Sequence, residues 1–586
     1  MNKKRGNDID ALPVALRGKP RGRGLALLAV GLLGLATGVL GGPLIAEQLG
    51  IRTATLAVSS ETPTTGAITD VAIPQHTETA TPPPTLESAE AKDPGAAILS
   101  MSTGGRAQLY SYSLEALEPR LLFEGTSDDM QPALSPNQSQ LAFASNNAGH
   151  WDLYVLNFIS GETTQISDDL AYHGAPSWSP DAAWLAYEQY SNDNLDIYIR
   201  PIDGSVEPIR ISTDLGLDFA PAWSPNGQEI AFVSDRSGRY QIWIVDLEAS
   251  GGQRFRAAAP NSSSEQADPS WSPDGGYLAW SAYLDGLWRI YVLDTDAPEA
   301  GAQEVGSGEQ PVFDADGEQI LAIVRRPQQS YLTAYTLEGG LALAPIALDG
   351  EVEGLAWSGM TPTNTLSAAI NPFGKEATNI EPGQGELAEL AGVVAPYPEL
   401  NAEAIASFEA LQERAADHLG WDALSNLEHA FVPLTYPMAP ARQQDWLYTG
   451  RAFALQAGLI SAGWMQVVRE DFGGETYWRV FLKTAAQDGS QGQPMRTAAW
   501  DFAARGGDYQ AGGQAIDAAA GYWIDFTALS ADFGWERLPA QTAWRSFFEG
   551  SLFNEFAFRQ GLQWGEAMLQ LYPAEAVSTP EPESTP

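Results

Sequence analysis

From Ala96 onward the chain alternates apolar and polar residues in short runs, broken at regular intervals by Ser, Pro, Asn, Asp and Gly. Period-two runs bounded by turn residues predict strands. In the clearest unit, Pro221-Ala-Trp-Ser opens as a strand and Pro225-Asn226-Gly227 turns it. Glu229-Ile-Ala-Phe-Val returns, and Gln241-Ile-Trp-Ile-Val follows after the loop Ser234-Asp-Arg-Ser-Gly. Asn226-Gly227, Asp274-Gly275 and Asp316-Gly317 suit two-residue hairpin turns with both central residues at positive φ. Asn137-Gln138 and Asp181-Ala182 take the same places without glycine, which predicts less favourable turns there or turns of another type.

The unit recurs with its turns at Pro136, Pro180, Pro225, Pro273 and Ala315. The third strands match as well: Asp152-Leu-Tyr-Val-Leu, Asp196-Ile-Tyr-Ile-Arg, Gln241-Ile-Trp-Ile-Val, Arg289-Ile-Tyr-Val-Leu and the weaker Leu332-Thr-Ala-Tyr-Thr. Repeats of this spacing, with three or four strands each, are the signature of propeller blades. At the start, Ala97-Ile-Leu-Ser-Met, Gln108-Leu-Tyr-Ser-Tyr and Pro119-Arg-Leu-Leu-Phe look like second, third and fourth strands without a first. At the far end, Leu355-Ala-Trp-Ser-Gly looks like a first strand with nothing after it. Together they complete one split blade. Pairing of 353–358 beside 97–102 then closes a ring of six and removes the sheet edges that invite aggregation.

The Trp-Ser-Pro-Asp-Gly hairpins and Asp-Ile-Tyr strands resemble the WD40-like (PD40) repeats of the TolB-like propeller family, over roughly 265 of the 586 residues. The resemblance implies a mainly β fold, a six-bladed propeller with split-blade closure at 96–359, and a bacterial envelope setting. It also implies a binding platform, or the gating domain of a prolyl-oligopeptidase-type peptidase. The peptidase needs an α/β-hydrolase domain, and the chain has no G-x-S-x-G nucleophile elbow.

The flanks supply an expected setting. Residues 1–23 are basic, with Lys3, Lys4, Arg5, Arg17, Lys19, Arg21 and Arg23. Residues 24–46 carry no charge, and as a helix they span roughly 35 Å, enough for a bilayer core. The positive charges precede this stretch and Glu47 follows it, which predicts a single-pass anchor in the cell membrane with a cytoplasmic N-terminus and the bulk of the chain outside. A cleaved signal peptide is the alternative, disfavoured by the length of the apolar run. Residues 47–95, rich in Thr, Pro, Ser and Glu, read as a disordered tether with a reach of about 40 Å.

Net charge is −42, so no basic face exists for nucleic acid. With no Cys and five unclustered His, thiol chemistry is excluded and no metal site or cofactor is expected. Propeller ligands sit at the central channel. The residues just ahead of the first strands, Asp129, His173, Asp218 and Gln266, with Asp268 and Glu309 close by, form a candidate channel rim for a cation, an amine or a basic peptide. The same polar groups also suit loop caps. The repeated Trp178, Trp223, Trp271 and Trp357 read as inter-blade core.

Residues 360–399 read as a linker with a short helix at Glu386–Leu390, 400–574 as an α+β domain, and 575–586 as a disordered tail. Asn401 caps a predicted helix to about His418, stopped at Gly420-Trp421. Arg451–Ala457, Asp525–Phe533, Trp544–Phe556 and Trp564–Leu571 read as helices. Met465–Val468 and Tyr477–Lys483 read as strands about a Phe472-Gly-Gly-Glu turn. Half of the tryptophans fall here, either as core or as sugar-stacking groups. Asp445, Glu470, Asp525 and Glu536 are the carboxylates to test for a glycosidase pair, which needs two of them facing across a cleft.

These features predict a membrane-anchored extracytoplasmic binding or scaffold protein whose propeller recognises a protein, peptide or cell-wall component. An envelope hydrolase with catalysis in the C-terminal domain is the alternative.

Overall fold

The computed structural model describes residues 95–362, 365–367, 373, 377, 381–436, 442, 444–504 and 512–577. The expected cytoplasmic segment, membrane helix and tether up to 94, and the tail beyond 577, lie outside the described residues. Among the described residues no helix is long and apolar enough to cross a membrane.

Residues 96–358 build six antiparallel sheets whose innermost strands touch in succession around a ring. The first blade joins both ends of the repeat region. Glu351–Ser358 pairs with Ala96–Thr103, with Leu99 opposite Leu355 and Ser100 opposite Gly354. Arg106–Ser113 and Pro119–Leu121 complete it, and Leu366–Ser367 adds a short outer strand. The other innermost strands are Asp129–Leu134, Tyr172–Trp178, Asp218–Trp223, Glu265–Trp271 and Glu309–Phe313.

The Ser-Pro-Asx-Gly hairpin has a different geometry from the expected two-residue turn. Gly227, Gly275 and Gly317 have positive φ, but Asn226, Asp274 and Asp316 do not. Gly227 N–H donates to Ser224 O, so Pro225 and Asn226 are the centre of a four-residue turn and Gly227 is its left-handed exit. The side chains explain the motif. Ser224 Oγ donates to Asn226 Oδ1 at 2.5 Å and accepts from Glu229 N at 3.2 Å. Ser135, Ser179 and Ser272 repeat this bridge, and Asp314 replaces it by accepting from Glu318 N and Gln319 N. Gln138 and Ala182 occupy the left-handed exit at φ +56°, so the turns without glycine keep the same geometry at a conformational cost.

Each of these five innermost strands carries a bulge just ahead of its proline. The residue there, Gln131, Ala175, Ala220, Asp268 or Gln310, is left-handed with φ between 46° and 55°. The ring secures three of these strained residues from the preceding blade. Gln131 Oε1 accepts from Ala175 N at 2.7 Å, Glu188 Oε2 from Ala220 N at 2.9 Å, and Asp268 Oδ2 from Gln310 N at 3.2 Å. Trp178 and Trp271 donate to Ala133 O and Ala222 O of the preceding blade, while Trp223 closes on its own turn at Gly227 O. Trp357 packs on a core shared by the first and sixth blades.

The C-terminal domain is α+β. Helix α1, Ala402–Leu419, starts where Asn401 Oδ1 accepts from Glu403 N and ends at left-handed Gly420. It lays Phe408, Leu411 and Ala415 on a core with Phe453, Phe526, Trp535 and Phe556. The hairpin Met465–Phe472/Glu475–Lys483 turns at Gly473-Gly474, both at positive φ. Helices α2, Phe526–Asp532, and α3, Trp564–Leu571, fall where the apolar spacing put them. Three expected helices are not helices. Leu387–Glu389 pairs with Glu399–Asn401 as a strand. Ala452–Leu455 is a fully buried strand between Leu427–His429 and Glu555–Ala557. Residues 544–556 split into turns, a 3₁₀ segment at Phe548–Ser551 and that last strand. In each case the apolar run is too short to tell one period from the other; sheet burial decides Ala452–Leu455 and Glu555–Ala557, and pairing with Glu399–Asn401 decides Leu387–Glu389. The expected tail begins inside a short helix, Ala574–Val577.

Candidate functional site

The C-terminal domain packs over the channel face of the propeller, and a cavity of about 900 Å³ lies between them. Its propeller wall comes from the starts of innermost strands and the loops beside them, including Met130, Trp151, Phe219, Tyr240 and Gln266. Its other wall comes from the 465–483 hairpin and residues 490–500, including Phe481, Met495, Trp500 and Trp523.

Three contacts fix this arrangement. Arg496 reaches from the C-terminal domain to Glu188 Oε1 and Tyr172 Oη. Glu188 is fully buried and its other oxygen already holds Ala220 N, so Arg496 neutralises a charge that the blade needs for its own backbone. Glu351 Oε1 bridges Arg325 Nη1 of the propeller and Arg479 Nη2 of the C-terminal domain, each at 2.8 Å. The two guanidinium groups outweigh burial and hold Glu351 down at about 2. Asp532, at the end of α2, accepts from Ser102 Oγ and from Gly105 N at the first hairpin of the ring. Burial pushes its carboxyl up to about 7.

The residues expected at the channel rim divide into two groups. Gln266, Asp268 and Glu309 line the cavity. Asp129, His173 and Asp218 are buried inside their blades. Asp129 accepts from Ser127 Oγ, and burial lifts its carboxyl to about 6. His173 lies between Asp152 Oδ1 at 3.5 Å and Asp169 Oδ2 at 3.4 Å. Burial pulls its pKa down, but the two carboxylates outweigh that and the net shift is upward. Asp218 takes both oxygens to Arg236 Nη2, at 3.0 and 2.9 Å. Gln266 Oε1 accepts from Ile242 N at 2.8 Å. Glu309 lies 3.8 Å from Arg325 Nε, and burial raises its carboxyl to about 7.

Residues 100–361 match the family model described as "TolB beta propeller domain", PD40. This stretch is a TolB-type propeller. A relative, "Tol-Pal system protein TolB" of Desulfosudis oleivorans, is 32% identical over 62 residues, which span 11% of this chain and 14% of that protein. TolB of Acinetobacter baumannii is a solved structure similar to the chain at TM-score 0.42 and 20% identity, covering 46% of this chain and 67% of that one. The putative TolB of Agrobacterium tumefaciens is similar at TM-score 0.34 and 22% identity, covering 42% and 88%.

The four carboxylates singled out for hydrolysis are all engaged outside or at the edge of the TolB-type propeller. Asp445 caps the 3₁₀ turn at Leu447 N and pairs with Arg442. Glu536 lies 3.5 Å from Arg559. Glu470 pairs with Arg537 at 2.5 Å, and Asp525 caps α2 through Ala528 N and pairs with Arg479. Glu470 and Asp525 do line the cavity, but each faces a guanidinium. Trp478, Trp535 and Trp544 are buried in the domain core. Arg469 stands over both Trp500 and Trp544, which leaves little of either face open to a sugar.

Sequence reasoning missed Arg496, Glu188, Arg325, Arg479 and Glu351. They come from distant parts of the chain, and no spacing signals an ion pair that two domains assemble. One cue existed in Glu188, a charge inside the strand Trp184–Ser191 at a position that otherwise faces the core.

Proposed function

We propose that the chain is a membrane-anchored extracytoplasmic binding or scaffold protein whose TolB-type propeller recognises a protein or envelope component. The observation that carries this reading is the cavity at the propeller's channel face, because a second domain completes its wall rather than leaving the face bare. Recognition sites tend to lie where domains meet. The uncharged stretch 24–46 behind a basic segment, followed by a Thr/Pro-rich tether, supports an outward-facing anchor. The 62-residue similarity to a Tol-Pal system protein supports an envelope setting.

Two measurements test it. The chain lacks cysteine, so Ser60→Cys in the tether gives a single labelling site. A membrane-impermeant maleimide should label it in intact cells, and labelling only after lysis would overturn the topology. For recognition, the full chain captured from solubilised envelopes should retain a partner that Gln266→Arg, placed in the cavity wall, releases. Equal capture by a Gln266→Arg variant that melts like the parent would overturn the assignment to this face.

A further inference from the structure

The cavity wall has an unbalanced charge. Four of its guanidinium groups are occupied: Arg325 and Arg479 by Glu351, Arg496 by Glu188, and Arg469 by Asp471. A fifth, Arg414, points its Nε to Gly105 O. Five lining carboxylates, Asp128, Glu265, Asp268, Glu353 and Asp417, have no cationic side chain at ion-pair distance among the described residues. Asp128 and Asp268 are met only by neutral donors: Ala107 N and Asn146 Nδ2 for the first, Ser281 Oγ and Gln310 N for the second. Glu353, on the innermost strand that closes the ring, has neither a hydrogen bond nor an ion pair among the described residues. Burial raises the carboxyl groups of Asp268 and Glu353, and it lowers His418, which therefore adds no positive charge near neutral pH.

Arg325, Arg479 and Arg496 act on Glu353 and Asp268 only from beyond ion-pair distance, and burial still raises both carboxyl groups, so a further cation in the cavity would stabilise them. The rest of the wall limits what that is. Trp151, Phe219, Tyr240 and Met495 supply aromatic and apolar surface, and the aromatic rings attract organic cations through their faces, whereas Trp500 and Trp523 already carry Arg469 and Lys483. Phe219 and Tyr240 meet edge to face with centroids 5.5 Å apart, next to Glu265 and Gln266. Gln266 is 1% exposed with its Oε1 fixed on Ile242 N, and Nε2 has no partner among the described residues. This buried amide is a ready donor to an acceptor on a guest. Among the described residues no three His, Asp or Glu gather as a metal site.

We propose that this cavity binds an organic cation with an apolar body, an amine or guanidine carrying an aromatic or aliphatic group. Its volume, about 900 Å³, is that of a site for a drug-sized molecule. The cationic head neutralises the lining carboxylates, Glu353 and Asp268 among them, and the apolar part packs on Trp151, Phe219 and Tyr240. This small ligand lies in the same cavity whose wall the recognition test above probes, and its own test reads it separately.

The test uses the full chain with 4-phenylbutylamine and its neutral counterpart 4-phenylbutanol, read by calorimetry and by thermal melting. The amine should bind saturably and raise Tm, with the alcohol weaker by about tenfold. Glu353→Gln should weaken the amine by about tenfold, leave the alcohol unchanged, and hold or raise the melting temperature of the unliganded protein. Glu265→Gln, at an exposed position on the rim, should weaken the amine in the same direction with no risk to folding. Equal binding of amine and alcohol, no binding of the amine, or unchanged amine affinity in both variants overturns the proposal. Envelope capture reads a macromolecule and melting reads the amine, so either result stands or falls without the other.

Discussion

Ala182 stands at φ +56° in a turn position that glycine fills in three other blades. An L-residue there costs about 1 kcal/mol, whereas glycine adopts the conformation freely. Ala182→Gly should therefore stabilise the protein by about 0.5–1 kcal/mol, less a few tenths for the partly buried methyl, as read by the shift of the urea midpoint at constant slope. An unchanged or lower midpoint would show that the methyl contact on the neighbouring core outweighs the backbone relief. Gln138 has the same φ but is a poorer subject, because its Oε1 accepts from Gly359 N at 2.7 Å just past the closing strand.

Two contacts between elements carry the architecture. The first is the close approach of Glu351–Ser358 to the next blade. A Cβ on Gly354 would stand 2.7 Å from Pro132 Cδ and 2.9 Å from Gln131 Cα. Gly354→Ala should destabilise by about 1–3 kcal/mol, measured by denaturant unfolding, because the backbone it meets cannot step aside. The second is Arg496 on Glu188. Arg496→Ala leaves a buried carboxylate without its cation, so it should cost about 3–5 kcal/mol in calorimetric unfolding. Adding Glu188→Gln should recover part of that loss, since the amide oxygen still accepts from Ala220 N. No recovery would mean that Arg496 acts through packing on Tyr172 rather than through charge.

Across the whole molecule, the domain interface sets a pH profile. Asp532 and Glu309 titrate near 7 in the folded protein and near 4 when unfolded. Raised carboxyl groups impose their full penalty above the folded pKa and release it as pH falls toward the unfolded value. Glu351 has the opposite sign: its contribution is present above about 4.5 and lost as pH falls toward 2. Tm should therefore rise from pH 8 to about pH 5 and then fall below about pH 4. Asp532→Asn should raise Tm at pH 8 and flatten the rise, with little effect at pH 5. A Tm that climbs steadily from pH 5 to pH 8 would contradict this sign.

The sequence by itself determined the ring. Its blades, their number and the pairing of the orphan strand at Leu355 with Ala97 all follow from local alternation and turn chemistry, which act over a few residues and repeat. It also determined the long helix α1, whose cap, apolar face and glycine stop are local signals. Its local spacing misassigned the short apolar runs at 387–389, 452–455 and 555–557 to helices, because only pairing with strands elsewhere in the fold makes them strands. Only the tertiary structure decided which polar residues are free to meet a ligand. Asp129, His173 and Asp218 hold the same repeat position as Gln266 and are as buried as it is, yet their partners differ from blade to blade. The cavity is made by the C-terminal domain lying over the channel face. The ion pairs that join the two domains, Arg479 with Glu351 and Arg496 with Glu188, link residues far apart in the chain, and no local pattern encodes such distances.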